Sequence, residues 1–135
     1  MTVDKAHELQ LVTNDDVVLV RQAVRTAAVE IGFNIVDQTK IVTAASELAR
    51  NTLVHGGGGM ARIETMRDTT RAGLRLTFED HGPGIVNIDL ALRDGYTTGS
   101  GLGLGLGGAR RLSSEFEIFS RPGEGTRVTI ARWKG

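Results

Sequence analysis

The sequence predicts an α+β fold, a two-layer α/β sandwich in which a mixed, mostly antiparallel sheet carries its helices on one face. Strand and helix patterns do not alternate regularly but occur in the order strand, two helices, two strands, loop, helix and hairpin. The 135 residues are enough for one two-layer core and too few for two independent cores. We therefore expect a single domain over residues 1–135.

The first elements are a strand and an amphipathic helix. Residues 7–13, HELQLVT, alternate as a half-buried strand does, with Leu9 and Leu11 on one face. One of residues 14–16 is expected to cap the helix that follows, and Gly32 to end it in the left-handed conformation. Apolar residues recur in this helix at spacings of three and four: Val17, Val20, Val24, Ala27, Ala28 and Ile31.

A second helix and two strands come next. The helix is predicted to begin at Asp37 and to end at the glycine run 56–59. Its apolar stripe consists of Ile41, Ala44, Ala45, Leu48 and Leu53. The segments MARIETM (60–66) and GLRLTFED (73–80) have the composition and alternation of strands.

The last third of the chain predicts a long connection, a short helix and a hairpin. Residues 81–100 are rich in Gly, Pro, Asn, Asp, Thr and Ser, as in connections that carry function. A short helix is expected from about residue 104 to 112. The strands EFEIFS (115–120) and TRVTIARW (126–133) are joined by a turn.

The composition excludes several classes of protein. Sixteen basic side chains balance sixteen acidic ones, so no overall field attracts nucleic acid or an anionic membrane. The absence of cysteine excludes disulfides and thiolate metal sites. No segment is apolar enough to span a bilayer, and the N-terminus does not resemble a signal peptide. We expect a cytoplasmic protein that binds neither nucleic acid nor membrane.

The second predicted helix carries a polar edge formed by Glu47, Asn51 and His55, each four residues from the next. This spacing stacks the side chains on one side of a helix. A carboxylate and a carboxamide one turn apart suit a hard cation such as Mg²⁺. The alternative, a solvated face with an incidental polar stripe, stays open on the spacing alone, and His55 could simply cap the helix end.

The segment FEDHGPGI, residues 78–85, ends a strand with the carboxylate of Asp80 and two glycines around a proline. A carboxylate at a strand end beside close-approaching backbone can accept a hydrogen bond from a ligand's amino group. The alternative is an ordinary turn, since Asp, Gly and Pro are turn-forming residues.

The segment SGLGLGLGGARRL, residues 100–112, places a glycine-rich stretch directly before a helix. Gly103, Gly105 and Gly108 match the G-x-G-x-x-G pattern of dinucleotide sites, but that pattern requires a preceding strand inside a βαβ unit, which is missing. Side-chain-free backbone at a helix start still offers N–H groups to an anion. The segment therefore predicts phosphate binding.

Taken together, these segments resemble the GHKL ATPase/kinase superfamily with its Bergerat nucleotide-binding fold. SELARN with His55 is similar to the N box, DHGPGI to the G1 box, GLGLG to the G2 box, and GEGT (123–126) to the last glycine-threonine element. Within the superfamily the chain is most similar to small anti-sigma and stress-signalling switch kinases of the RsbT type, over nearly its whole length.

The resemblance implies a role for each matching position. Glu47 is the general base, and Asn51 ligates Mg²⁺, with Glu47 as a further ligand through water. Asp80 accepts a hydrogen bond from the adenine amino group, Gly84 lets the base lie over the backbone, and Thr126 supports it through water. Residues 86–100 are the lid. The nucleotide-contacting positions are Asn51, His55, Asp80, Gly82, Gly84, Ile85, Gly101, Leu102, Gly103, Leu104, Gly105 and Thr126.

The implied activity is an ATP- and Mg²⁺-dependent serine/threonine protein kinase acting on a STAS-domain partner, with a PP2C-type phosphatase or a sigma factor as a second partner. The alternative is a nucleotide-dependent binding module with little turnover.

Two features depart from the family pattern. His81 replaces a common Asn, which we expect to alter only local hydrogen bonding, and the glycine run 56–59 is expected to loosen its turn. The oligomeric state is not indicated.

Overall fold

The computed structural model describes residues 2–93 and 105–134. Its elements occur in the predicted order. They are β1 (Thr2–Leu11), α1 (Asn14–Glu30), α2 (Ile35–Val54), β2 (Gly59–Arg67), β3 (Ala72–Asp80), α3 (Ile88–Ala91), α4 (Gly105–Arg111), β4 (Glu115–Arg121) and β5 (Gly125–Trp133).

The five strands form one sheet in the order β1-β2-β3-β5-β4. All four pairings among the described strands are antiparallel, so the α+β prediction is confirmed, without the parallel pairing that a mixed sheet would contain. Because β5 lies between β3 and β4, the end of β3 faces the start of β5, with Asp80 opposite Thr126. This arrangement forms the sheet end at which the predicted site lies.

Helices α1, α2 and α4 pack on one face of the sheet and share a single apolar core with it. Large fully buried side chains from both layers form its centre: Leu11, Val20, Val24, Ile41, Leu48, Leu74, Leu76, Phe78 and Ile130. Burying each such side chain contributes roughly 1.5 to 3 kcal/mol before entropy is counted. The predicted helix stripes face this core, where Val20, Val24 and Ile41 are 0% exposed.

The opposite face of the sheet is largely polar. There, Arg75 on β3 donates to both carboxylate oxygens of Glu64 on β2, at 2.8 and 3.1 Å. Arg62 lies 3.5 Å from the same carboxylate. The hydrogen-bonded guanidinium of Arg75 is the main reason that the pKa of Glu64 lies below its usual value.

Both long helices begin earlier than the sequence indicated. The cap of α1 is Thr13, not a residue from 14–16, because its hydroxyl accepts the N–H of Asp16 at 3.3 Å while Asp16 accepts the N–H of Thr13 at 3.0 Å. The cap of α2 is Asn34, whose side chain accepts the N–H of Asp37 at 2.8 Å. Asp37 therefore lies in the first turn and does not start the helix.

Two further differences concern β1 and the long connection. β1 begins at Thr2 and pairs with β2 as far as Leu11, with a register shift between Val3 and Lys5, although residues 2–6 show no strand alternation. A one-turn helix, α3, interrupts the connection, and Asn87 caps it by accepting the N–H of Leu90 at 2.9 Å. As predicted, Gly32 follows α1 with a positive φ of 87°.

One ion pair connects elements that carry the site. Arg132 on β5 donates to Asp37 Oδ1 in the first turn of α2 from Nη2 at 2.6 Å and from Nε at 3.2 Å. Its Nη1 donates to the carbonyl oxygen of Leu112, just after α4, at 2.9 Å. Arg132 thus joins β5, the start of α2 and the end of α4.

Candidate functional site

The predicted site residues of the sheet lie in one row at its end. Asp80 on β3 is the register partner of Thr126 on β5, and Thr126 is in turn the partner of Ser120 on β4. All three face the helices, because each is two residues from an inward-facing residue of its own strand, and alternate residues of a strand share a face. The inward-facing residues are Phe78 for Asp80, Val128 for Thr126 and Ile118 for Ser120. Three oxygen-bearing side chains therefore lie side by side across three strands.

The polar edge of α2 lies in the helix layer, and the loop that follows this helix contacts the row at Asp80 through Gly56. Glu47 and Asn51 are half-buried, and His55 is the exposed C-cap residue of the helix. Across residues 2–93 and 105–134, the side chains of Glu47 and Asn51 have no hydrogen-bond or ion-pair partner. Half-burial distinguishes this edge from a fully solvated face, and its oxygens are available to a ligand.

The glycine run after α2 packs closely against the end of β3. A Cβ on Gly56 would overlap the side chain of Asp80, and a Cβ on Gly82 would lie 2.7 Å from the Cα of Gly56. Gly59 is in similar contact with the backbone of Glu79. The expectation of a loosened turn is therefore wrong, because glycine here permits close packing.

Asp80 is held from two sides in this arrangement. Its Oδ1 accepts the N–H of Gly82 at 2.9 Å, and Gly56 packs against the rest of the carboxylate. The side chain is 8% exposed. A carboxylate that is buried, hydrogen-bonded on one oxygen and fixed by packing can accept a hydrogen bond from a donor in a defined direction.

The loop of residues 81–85 is attached to the turn between β4 and β5. The N–H of Gly123 donates to the carbonyl of Pro83 at 2.8 Å, and the N–H of Ile85 donates to Ser120 Oγ at 2.8 Å. Gly84 has a φ of 77°, and a Cβ there would overlap the carbonyl of Arg121. This glycine is required both by its backbone conformation and by close approach.

His81 follows Asp80 directly and is exposed to solvent. Its side chain is 86% exposed, and its Nε2 lies 4.0 Å from Glu79 Oε1. That His81 alters only local hydrogen bonding stays a prediction.

The glycine-rich segment is described from Gly105 onward, as the start of α4. Gly105 has a φ of 65°, and Leu106 and Ala109 are buried in the core. Gly107 packs on α3, since a Cβ there would overlap the carbonyl of Leu92. Gly101, Leu102, Gly103 and Leu104 lie outside the described residues, as does the part of the predicted lid over 94–100.

The donor set fits a cation that is held mainly by other ligands. No group of three or more His, Cys, Asp or Glu side chains in the described part of the chain could hold a metal ion. The oxygens of Asn51 and Glu47 are hard donors, which suit Mg²⁺ when phosphate oxygens and waters complete its coordination. The chemistry of these donors therefore fits a magnesium-nucleotide complex better than a metal bound by protein alone.

Sequence reasoning missed two residues that organise this site. Ser120 contacts both Ile85 and Thr126, yet its segment EFEIFS carries no motif. Gly56 fixes Asp80, but nothing in the sequence separates it from the other glycines of its run. The usable signal for Ser120 is its register position opposite Thr126, which requires the strand order.

The sequence and the fold together define the chain as an ATPase-type domain. The sequence model of the histidine kinase-, DNA gyrase B-, and HSP90-like ATPase family matches residues 36–134. The chain belongs to this family, and the predicted GHKL membership is confirmed.

Two curated relatives match most of the chain. The chain is 44% identical over 125 residues to the serine/threonine-protein kinase RsbT of Bacillus subtilis, which covers 93% of this chain and 94% of that protein. It is 30% identical over 120 residues to the anti-sigma F factor of a Thermoanaerobacter species, covering 85% of this chain and 83% of that protein. The chain is an enzyme of the kinase class within this family, and RsbT itself is a serine/threonine-protein kinase.

A solved structure supports the same fold. The RsbU and RsbW domains of a Mycobacterium tuberculosis protein superpose with a TM-score of 0.66 at 24% identity, covering 96% of this chain. The chain spans 32% of that protein's length, so the likeness concerns one part of it. Among the described helices of the present chain, none is both long and apolar enough to cross a membrane.

Proposed function

We propose that the chain binds ATP with Mg²⁺ and transfers the γ-phosphoryl group to a serine or threonine of a STAS-domain protein in a partner-switching pathway. The observation that carries this proposal is the half-buried oxygen edge of Glu47 and Asn51, whose side chains have no partner within the described residues 2–93 and 105–134, together with the fixed carboxylate of Asp80. The likeness to RsbT, a serine/threonine-protein kinase, supports the choice of a hydroxyl acceptor.

ATP supplies the phosphoryl group, and Mg²⁺ neutralises phosphate charge when bound. Phosphoryl transfer requires mainly positioning and charge neutralisation from the protein. Asn51 provides the carboxamide oxygen for the cation, and Asp80 and Thr126 orient the base. The Glu47 carboxylate accepts the proton of the attacking serine or threonine hydroxyl, and the oxygen of that hydroxyl bonds to the γ-phosphorus. The bond between the γ-phosphorus and the oxygen bridging it to the β-phosphate breaks, and ADP leaves with that oxygen.

The test is label transfer from γ-labelled ATP to purified STAS-domain proteins, with and without Mg²⁺. We expect Glu47→Gln to retain ATP binding and to slow transfer by about 10²- to 10⁴-fold, the range for a general base. Asn51→Ala should lose the Mg²⁺ dependence of binding. Glu30→Gln is the matched control, because Glu30 is an exposed carboxylate outside the site.

Transfer at the wild-type rate by Glu47→Gln would show that Glu47 is not the base. A wild-type protein that binds ATP but labels no STAS-domain protein would contradict the proposed substrate.

The second candidate function is a nucleotide-dependent binding module with little turnover, and the 30% identity to an anti-sigma F factor favours it. In this case a sigma factor or a PP2C-type phosphatase would be bound only when nucleotide is present. Two results together would support this function. Such a partner would co-sediment with the Glu47→Gln variant only when ATP is present, and the wild type would transfer no label. The intact carboxylate at position 47 favours the kinase, because binding alone requires no base.

A further inference from the structure

The hydroxyl of Ser120 makes three short contacts at the edge of the site. It accepts the N–H of Ile85 at 2.8 Å, lies 2.8 Å from Thr126 Oγ1, and lies 3.1 Å from the carbonyl oxygen of Gly125. Two of these partners have fixed roles, since the amide of Ile85 can only donate and the carbonyl of Gly125 can only accept. The direction of the third hydrogen bond, between the two hydroxyls, follows from the other two.

A hydroxyl has one proton to donate and two lone pairs to accept with. When Ser120 donates to the carbonyl of Gly125, its lone pairs receive the N–H of Ile85 and the O–H of Thr126, and all three contacts are satisfied. In the opposite arrangement Ser120 donates to Thr126. The oxygens of Ser120 Oγ and the Gly125 carbonyl then lie 3.1 Å apart without a proton between them. The first arrangement is therefore favoured.

This arrangement determines what Thr126 offers to a ligand. Its proton is directed to Ser120, so the free side of Thr126 Oγ1 can only accept. Asp80, its register partner on β3, is likewise an acceptor when ionised. The two neighbouring side chains thus present acceptors only, which match an amino group and repel a carbonyl oxygen.

We propose that Ser120 is a specificity-determining positioning residue: by fixing the proton of Thr126, it makes the site select a 6-amino purine over a 6-oxo purine. The inference rests on the proposed nucleotide binding. Without Ser120, the hydroxyl of Thr126 can turn its proton toward the base and donate to a 6-oxo group, either directly or through the water that the family resemblance implies. Ser120 would then affect the choice between bases more than the binding of phosphate.

The experiment measures the dissociation constants of ATP and inosine triphosphate, with Mg²⁺, for the full chain and its variants. The wild type should prefer ATP, and Ser120→Ala should reduce the ratio of the two constants by about tenfold, mainly by binding inosine triphosphate more tightly. Ser120→Thr, which keeps the hydroxyl, should retain the wild-type ratio. Ser114→Ala is the matched control, because Ser114 also accepts a backbone N–H, from Trp133 at 3.2 Å, but at the other end of β4.

A second measurement separates this role from a structural one. In a Thr126→Val background the Ser120→Ala substitution should leave the ratio unchanged, because no hydroxyl proton remains to be directed. A wild-type ratio in Ser120→Ala, or an equal effect of that substitution in both backgrounds, would overturn the inference while nucleotide binding stands. A wild type that binds neither nucleotide would overturn the proposed function and the inference together.

Discussion

The ion pair between Asp37 and Arg132 is expected to be one of the most costly polar contacts to break. The two side chains are only 11% and 16% exposed, and one carboxylate oxygen receives two N–H groups. Removal of one partner from a buried pair costs about 3 to 5 kcal/mol. Because both side chains retain some exposure, we expect Asp37→Ala to lower the free energy of unfolding by about 3 kcal/mol, at the low end of that range.

Arg132→Met should cost a similar amount, because it also removes the hydrogen bond to the carbonyl of Leu112. The double variant should be less destabilised than the sum of the two singles by about 2 kcal/mol, because neither charge is left unpaired. The assay is urea unfolding at neutral pH, with the free energies compared as a double-mutant cycle. For 135 residues, 3 kcal/mol corresponds to a decrease in Tm of about 10 °C.

The matched control is the exposed pair of Arg67 and Asp4 on the first two strands. It has the same chemistry, with contacts of 2.7 and 3.1 Å, but side-chain exposures of 65% and 34%. Asp4→Ala should cost less than about 1 kcal/mol. Additive effects in the Asp37–Arg132 cycle, or equal costs for the buried and exposed pairs, would refute the reasoning that burial makes this contact important.

Two further predictions concern the sheet and the site. Because Arg75 lowers the pKa of Glu64 from 4.5, the stabilisation from this pair is present above that pH and is lost as the pH falls through the lower, folded-state pKa. The urea midpoint should therefore fall less steeply with decreasing pH for Glu64→Gln than for the wild type. Glu117→Gln is the control and should follow the wild type, because Glu117 has no ion-pair partner among the described residues. Gly56→Ala should weaken ATP binding by about 10- to 100-fold by displacing Asp80, whereas Gly57→Ala, with a φ of 74° and open space around it, should lower stability and spare ATP affinity. Equal losses of ATP affinity in the two glycine variants would mean that Gly56 acts through the loop backbone and not through Asp80.

The helix layer was predictable because its signals are local. The apolar stripes of α1 and α2 recur at helical spacing, so their inward faces follow from sequence alone. The same periodicity places Glu47 and Asn51 on one edge of α2. The caps were not predictable, because Thr13 is followed by three other good capping residues, and only the hydrogen bonds of the folded chain distinguish them.

The sheet end was predictable only in part. The position of Asp80 at the end of a strand follows from its own segment, but its neighbours across the sheet do not. Thr126 lies beside Asp80 because β5 lies between β3 and β4, and the order of elements along the chain does not determine that arrangement. Ser120 had no signal for the same reason, although its hydroxyl contacts the site residues Ile85 and Thr126 and the carbonyl of Gly125.

The glycines show why composition alone could not describe the site. In the run 56–59, Gly57 and Gly58 have positive φ angles of 74° and 108°, whereas Gly56 and Gly59 are required by close contact with β3 and the residues after it. The first requirement is local and the second is tertiary, yet both appear in the sequence as the same residue. A glycine-rich stretch therefore indicates that the backbone is exceptional there, and only the neighbouring strand explains which glycine positions Asp80.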